Sequence, residues 1–137
     1  MLGSMARLGE LMTGAIISVA PEDTLGEAAE RMAEQGVGSA VVLDGGRLIG
    51  ILTERDLLGA VAGRVHTSEA RVREWMTVDP VTATVDMSVD EAIRTMLERG
   101  FRHLPVVESG RTVGIVSLRE CMKAELQVDV GAEGPTD

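Results

Sequence analysis

Few residues in this chain have the types and spacing that chemistry needs. Its 137 residues include one cysteine, Cys121, and two histidines, His66 and His103, far apart in sequence. A lone thiol excludes an internal disulfide and any multi-thiolate metal site, and it suits a reducing cytoplasm. Two distant histidines give a metal little to bind, so no metal site is expected. Nothing such as Gly-x-Ser-x-Gly supports a nucleophile and base, and the chain reads as non-catalytic. Two hydroxyl-acid pairs remain, Thr53-Glu54-Arg55-Asp56 and Ser117-Leu118-Arg119-Glu120. Taken alone, each is a helix capping box, in which hydroxyl and carboxylate satisfy orphan amides at a helix start.

The two pairs are copies of one another. Laying Gly50-Ile51 on Gly114-Ile115 sets an offset of 64 that holds without a gap from Glu10 to Met122. Under it fall Glu10/Glu74, Met12/Met76, Thr13/Thr77, Glu27/Glu91, Met32/Met96, Gly36/Gly100, Val42/Val106 and Arg55/Arg119. The chain is a tandem of two like motifs, each too small to bury its faces alone.

The elements that must position the pairs are legible in both copies. Residues 17–19 and 81–83 read as short strands. Capping boxes Thr24-x-x-Glu27 and Ser88-x-x-Glu91 then predict helices. Leu25, Ala28, Ala29, Met32 and Ala33, like Val89, Ala92, Ile93, Met96 and Leu97, make one helical stripe. Gly36 and Gly100 stand where a left-handed cap would end these helices. Residues 40–43 and 104–107 read as strands that turn at Asp44-Gly45-Gly46 and Glu108-Ser109-Gly110 and return over 48–52 and 112–116. A second helix follows Thr53 and Ser117. The expected fold is α+β with an α/β-like character: two β-α-β-β-α motifs in tandem, each a small mixed sheet with helices on one face. Residues 1–9 read as an N-terminal segment, with Gly3-Ser4-Met5 compatible with a cloning remnant. Residues 10–65 form motif 1, residues 66–127 motif 2 with its linker, and residues 128–137 a flexible acidic tail.

Composition narrows the partners. One Phe, one Trp and no Tyr leave a core of aliphatic residues and eight Met, with no row of rings for stacking bases. A net charge of −9 repels a phosphate backbone and anionic lipid, so neither nucleic acid nor membrane is an expected partner. No apolar run approaches the roughly 18 residues of a membrane span, and a cytoplasmic location is expected.

The duplication, the Met-Thr before each first strand, Phe101-Arg102-His103-Leu104-Pro105-Val106-Val107 and above all Gly50-Ile51-Leu52-Thr53-Glu54-Arg55-Asp56 resemble the tandem cystathionine-β-synthase (CBS) domain pair, or Bateman module. The resemblance covers about residues 10 to 123 and implies a pseudo-twofold pair. It also implies a sensor that binds AMP, ADP, ATP or S-adenosylmethionine in clefts between the motifs, needs no other cofactor, associates as a homodimer and signals to an effector protein. Carried over by position, Thr53 and Asp56 would hold ribose, and Arg55 would reach phosphate. Backbone at Ile16 and Ile17 and at Gly38, Ser39 and Ala40 would cradle adenine. Arg102 and His103 would face phosphate. A second site would use Pro80, Val81, Ser117, Arg119 and Glu120. There Glu120 replaces the family's Asp or Asn, which makes a better cap and a weaker ribose ligand. A carboxylate can accept from both hydroxyls of a cis-diol, and helix N-terminal amides favour phosphate.

Plainer readings stand beside these. Arg102 also fits a solvated surface position, and His103 a packing role. Arg47 and Arg111 read as solvated turn residues. Cys121, aligned with Leu57, and Trp75, aligned with Leu11, read as packing, as do the methionines. A structural dimerisation module with vestigial ligand sites is the alternative function.

Overall fold

The first long helix starts where the Thr24-x-x-Glu27 capping box predicts it. Thr24 caps α2 (Leu25–Gln35): its Oγ1 accepts from the Glu27 N–H at 3.1 Å, and Glu27 Oε1 accepts from the Thr24 N–H at 2.9 Å. The bond from the Thr24 backbone favours the ionised carboxylate and holds the Glu27 carboxyl below its usual range. Ser88 likewise caps α5 (Val89–Arg99), accepting from the Glu91 N–H at 3.1 Å. The helices bury Leu25, Ala28 and Met32, and Val89, Ala92 and Met96. Both end on a glycine in the left-handed region, Gly36 at φ 67° and Gly100 at φ 81°.

The computed structural model describes residues 6–12 and 16–130. The chain divides into two compact units that interleave in sequence: Ala15–Val81, and Met1–Gly14 together with Thr82–Asp137. In the first, β1 (Ser18–Val19) runs parallel to β2 (Ser39–Asp44), which pairs antiparallel with β3 (Arg47–Thr53). After α3 (Glu54–Ala62) and α4 (Val72–Trp75), β4 (Thr77–Val78) adds an antiparallel edge to β3. In the second, β5 (Ala83–Thr84) runs parallel to β6 (His103–Glu108), β6 pairs antiparallel with β7 (Arg111–Ser117), and α6 (Leu118–Val130) follows. A short helix, α1 (Leu8–Leu11), belongs to this second unit.

The strand-helix-strand-strand-helix order is therefore present twice. The expected strand at 81–83 forms later, at 83–84, where Ala83 registers with Val106. The helix α6 runs through Val130, so residues 128–130, expected in the tail, are helical. The remainder of the tail, Gly3-Ser4-Met5 and Thr13 lie outside the described residues.

Each unit is closed by a short helix that lies on the far side of its sequence. In the first, the Leu25 N–H donates to Ala70 O (2.9 Å), and the Val72 N–H donates to Asp23 O (2.9 Å). In the second, the Val89 N–H donates to Ala6 O (3.0 Å), and the Leu8 N–H donates to Met87 O (2.9 Å). Val72 and Leu8 are fully buried by this docking. An arginine pins each clasp: Arg71 Nη1 donates to Glu22 O at 2.9 Å, and Arg7 Nη1 to Asp86 O at 3.2 Å. Arg7 and Arg71 are themselves 64 residues apart, so the repeat extends beyond Glu10.

A methionine behind each clasp explains the paired glycines. A Cβ on Gly50 would meet Met76 Sδ at 2.6 Å and the Thr77 carbonyl oxygen at 2.9 Å, and one on Gly114 would meet Met12 Sδ at 2.7 Å. Trp75 packs against the first core, as do Ile17, Ile49 and Leu57. Cys121 is buried, as its alignment with Leu57 implies, and burial first, then the Glu120 charge, pushes its thiol up to about 11.

Gly50→Ala is expected to lower unfolding stability by about 1–3 kcal/mol in urea titrations, because the Thr77 carbonyl has no flexible stem by which to yield. A second expectation concerns pH. The Cys121 thiol ionises at about 11 in the folded chain against 9.0 for a free thiol. The folded state therefore binds the proton more tightly, and this contribution to stability is complete below pH 9 and lost as pH rises through 11. Urea midpoints taken across that window should fall less steeply for Cys121→Ala.

Candidate ligand site

Three chain segments meet at one end of the first sheet. Ser39 at the start of β2 pairs with Thr53 at the end of β3, and the Glu54 N–H donates to Gly38 O at 3.0 Å. Just ahead of β1, Ile17 O accepts from the Val41 N–H at 3.0 Å. The ribose-type residues Thr53 and Asp56 and the adenine-type backbone at Ile16, Ile17, Gly38, Ser39 and Ala40 thus all belong to one unit. Strand pairing brings Ser39 beside Thr53, and the β1–β2 crossover brings Ile17 beside Val41. Ser39 and Ala40 are buried, whereas Ile16, Ile17 and Gly38 are partly accessible.

Thr53 caps α3 through a closed set of bonds. The Thr53 N–H and Oγ1–H both donate to Asp56 Oδ2, at 2.9 and 3.1 Å, and the Asp56 N–H donates to Thr53 Oγ1 at 3.3 Å. Asp56 is half-buried and Arg55 exposed. The carboxylate is held in place by its own helix start, with Oδ2 engaged twice.

The second copy keeps the cap and changes its geometry. Glu120 Oε1 accepts from the Ser117 N–H at 2.9 Å, and Ser117 Oγ from the Glu120 N–H at 3.0 Å. Glu120 and Arg119 are exposed. His103 pairs with Ser117 across β6 and β7, and Arg102 O accepts from the Leu118 N–H at 2.8 Å. Arg102 and His103 accordingly sit beside Ser117, in the unit that also holds Arg119 and Glu120. Pro80 and Val81 close the other unit.

One residue escaped the reading of the sequence. A Cβ on Gly38 would meet the Glu54 carboxyl carbon and Oε1 at 3.2 Å. This acid therefore lies against the glycine at which adenine is expected. The available signal was the contrast within the repeat, where Gly38 aligns with Arg102 and Glu54 with Leu118. Among the described residues no group of three or more His, Cys, Asp or Glu is arranged to hold a metal ion, and no helix is long and apolar enough to cross a membrane.

Comparisons with known proteins agree with this fold. The family model of the CBS domain matches the chain twice, over residues 8–63 and 72–127. An uncharacterized 17.7 kDa protein of Acidianus ambivalens is 40% identical over 124 residues, which span 89% of this chain and 74% of that protein. Other relatives are longer, and the chain spans 62% and 41% of two of them. The crystal structure of the CBS-domain containing protein ATU1752 from Agrobacterium tumefaciens superposes with a TM-score of 0.81 at 34% identity, covering 87% of this chain and 98% of that one. The CBS domain pair of protein MJ0100, solved in complex with 5′-methylthioadenosine and S-adenosyl-L-methionine, superposes with a TM-score of 0.79 at 25% identity, covering 88% and 96%.

Because the hydroxyls of Thr53 and Ser117 are structural caps, Thr53→Ala and Ser117→Ala should each lower stability by about 1 kcal/mol in the absence of any ligand, measured by urea unfolding.

Proposed function

The chain belongs to the CBS domain family and carries two such domains in tandem, and from that premise we propose that it is a non-catalytic sensor of an adenosyl ligand. CBS pairs are regulatory modules, and the ligands in the MJ0100 structure are both adenosyl compounds. The observation that carries the reading is the half-buried Thr53–Asp56 cap beside the start of β2. Its bonds occupy Oδ2, which leaves Asp56 Oδ1 to accept from a ribose hydroxyl without unmaking the helix start. Thr53 and the first amides of α3 then lie near the 5′ substituent, with Arg55 able to reach phosphate. Ile16, Ile17 and Gly38 to Ala40 offer backbone and aliphatic surface to adenine, a cradle that requires no aromatic ring.

The second site, at Ser117, Arg119 and Glu120, is the weaker; Pro80 and Val81 fall in the other unit. The longer Glu120 side chain is exposed and its carboxylate is spent on the cap. Arg102 and His103, alongside Ser117, are the anion-binding groups of that copy. We take the active form to be a cytoplasmic homodimer in which occupancy shifts an equilibrium between two states and is read by an effector protein. The shift can be no larger than the difference in ligand affinity between those states.

Thermal unfolding with AMP, ADP, ATP and S-adenosylmethionine tests the reading. A ligand present at 100 times its Kd and bound only by the folded chain adds about 2.7 kcal/mol of stability. Stabilisation by at least one of them, abolished in Asp56→Ala and retained in Glu120→Ala, is expected. No response to any, or an undiminished response in Asp56→Ala, would leave a structural dimerisation module as the better account. Calorimetry should find one strong site per chain, and Glu120→Asp should strengthen the second.

A further inference from the structure

One backbone bond recurs in both copies of the hydroxyl-acid turn, and the residues it joins differ in charge. In the first unit the Glu54 N–H donates to Gly38 O at 3.0 Å, and in the second the Leu118 N–H donates to Arg102 O at 2.8 Å. An acid opposite a glycine thus corresponds to an apolar residue opposite a cation. Glycine at 38 lets the acid fold back onto the strand start, since its carboxyl carbon and Oε1 lie 3.2 Å from where a Cβ would stand. The two differences act together: Gly38 brings no cation to neutralise Glu54, and Leu118 brings no acid to neutralise Arg102.

The flanking residues widen the contrast. The first turn carries two carboxylates, Glu54 and Asp56, against one guanidinium, Arg55. The second carries Arg102 and Arg119 against one carboxylate, Glu120. The start of α3 does little to offset its acids, because the N–H groups of Thr53, Glu54 and Asp56 already donate to Asp56 Oδ2, Gly38 O and Thr53 Oγ1. A phosphate reached by Arg55 would therefore lie beside two carboxylates.

We propose that Glu54 sets the charge class of the ligand at the first site, favouring an adenosyl compound with a cationic 5′ substituent, such as a sulfonium, and opposing a phosphate. This role rests on the sensor reading above and narrows its ligand class. Asp56 is fixed by the Thr53 amide and hydroxyl, and the ribose it would hold is common to every adenosyl compound. Glu54 takes no part in the cap through its side chain, and its carboxyl joins the residue after Thr53, by the 5′ substituent, to Gly38, by adenine. Glu54 is also exposed, so its carboxylate acts by charge rather than by packing. In water, an opposite charge a few ångströms away is worth about fivefold in affinity, and a like charge costs as much.

Calorimetric titration of the full chain tests the assignment, with S-adenosylmethionine, its neutral thioether S-adenosylhomocysteine, AMP and ATP as probes. The wild type is compared with Glu54→Gln and with Glu54→Leu, which copies the second unit. Only binding that is lost in Asp56→Ala counts, which assigns it to the first site. In the wild type the sulfonium is expected to bind at least about fivefold tighter than the thioether and tighter than either nucleotide. Both variants should lose that preference and gain affinity for ATP, and added salt should shrink the wild-type contrast. Urea midpoints close to the wild type confirm that the variants fold. A wild type that prefers AMP or ATP, or a ranking that both variants leave unchanged, would overturn the role of Glu54 and leave the sensor reading standing. A folded wild type and folded variants that bind none of the four would overturn the sensor reading itself, and this role with it.

Discussion

The reciprocal clasp is the constraint on which the rest of this structure depends. A sheet of three or four short strands with two helices cannot bury a core large enough to hold itself together. Here each such layer is completed by a short helix and its flanking backbone, which hydrogen-bond to the start of the long helix and cap the core with Val72 or Leu8. Met76 and Met12 then lie against strand glycines whose neighbours lead, three residues later, to Thr53 and Ser117. The packing that closes the core and the turn that presents the hydroxyl-acid pair therefore share one stretch of chain.

That sharing lets a capping box double as the proposed ligand-binding element. The cap costs the site nothing, because Asp56 Oδ2 satisfies the Thr53 amide and hydroxyl and the half-buried carboxylate is thereby fixed in direction. A group held in this way loses little freedom when a ligand arrives. The second copy keeps the cap, which the longer Glu120 completes from an exposed position. Divergence at a single side-chain length is enough to make the two caps unlike.

Much of this was legible in the sequence because the repeat doubles every local signal. The caps at Thr24, Thr53 and Ser117, the glycine stops at 36 and 100, the hairpins and the buried Cys121 all follow from residue type and spacing. Local pattern could not show which copy each connecting segment serves. Residues 66–127 read as the second motif with its linker, and within them Ala70, Val72 and Met76 pack on the first unit, through contacts such as backbone bonds to Asp23 and Leu25 that leave no trace in composition. The position of Glu54 over Gly38 was hidden for a related reason: it is a tertiary contact between two residues that each look ordinary alone.

The interleaving also separates where a change is made from where it is felt. The Arg7 guanidinium and the Asp86 carbonyl it holds are 79 residues apart, whereas Arg71 reaches back only 49 residues to Glu22. As the chain is synthesised, the first unit has all its parts once β4 is made. The second must keep its leading segment unpaired until α5 follows. Proteolytic loss of residues 6–12 would thus leave the first unit whole and uncover the core of the second, at the opposite end of the sequence from the cut.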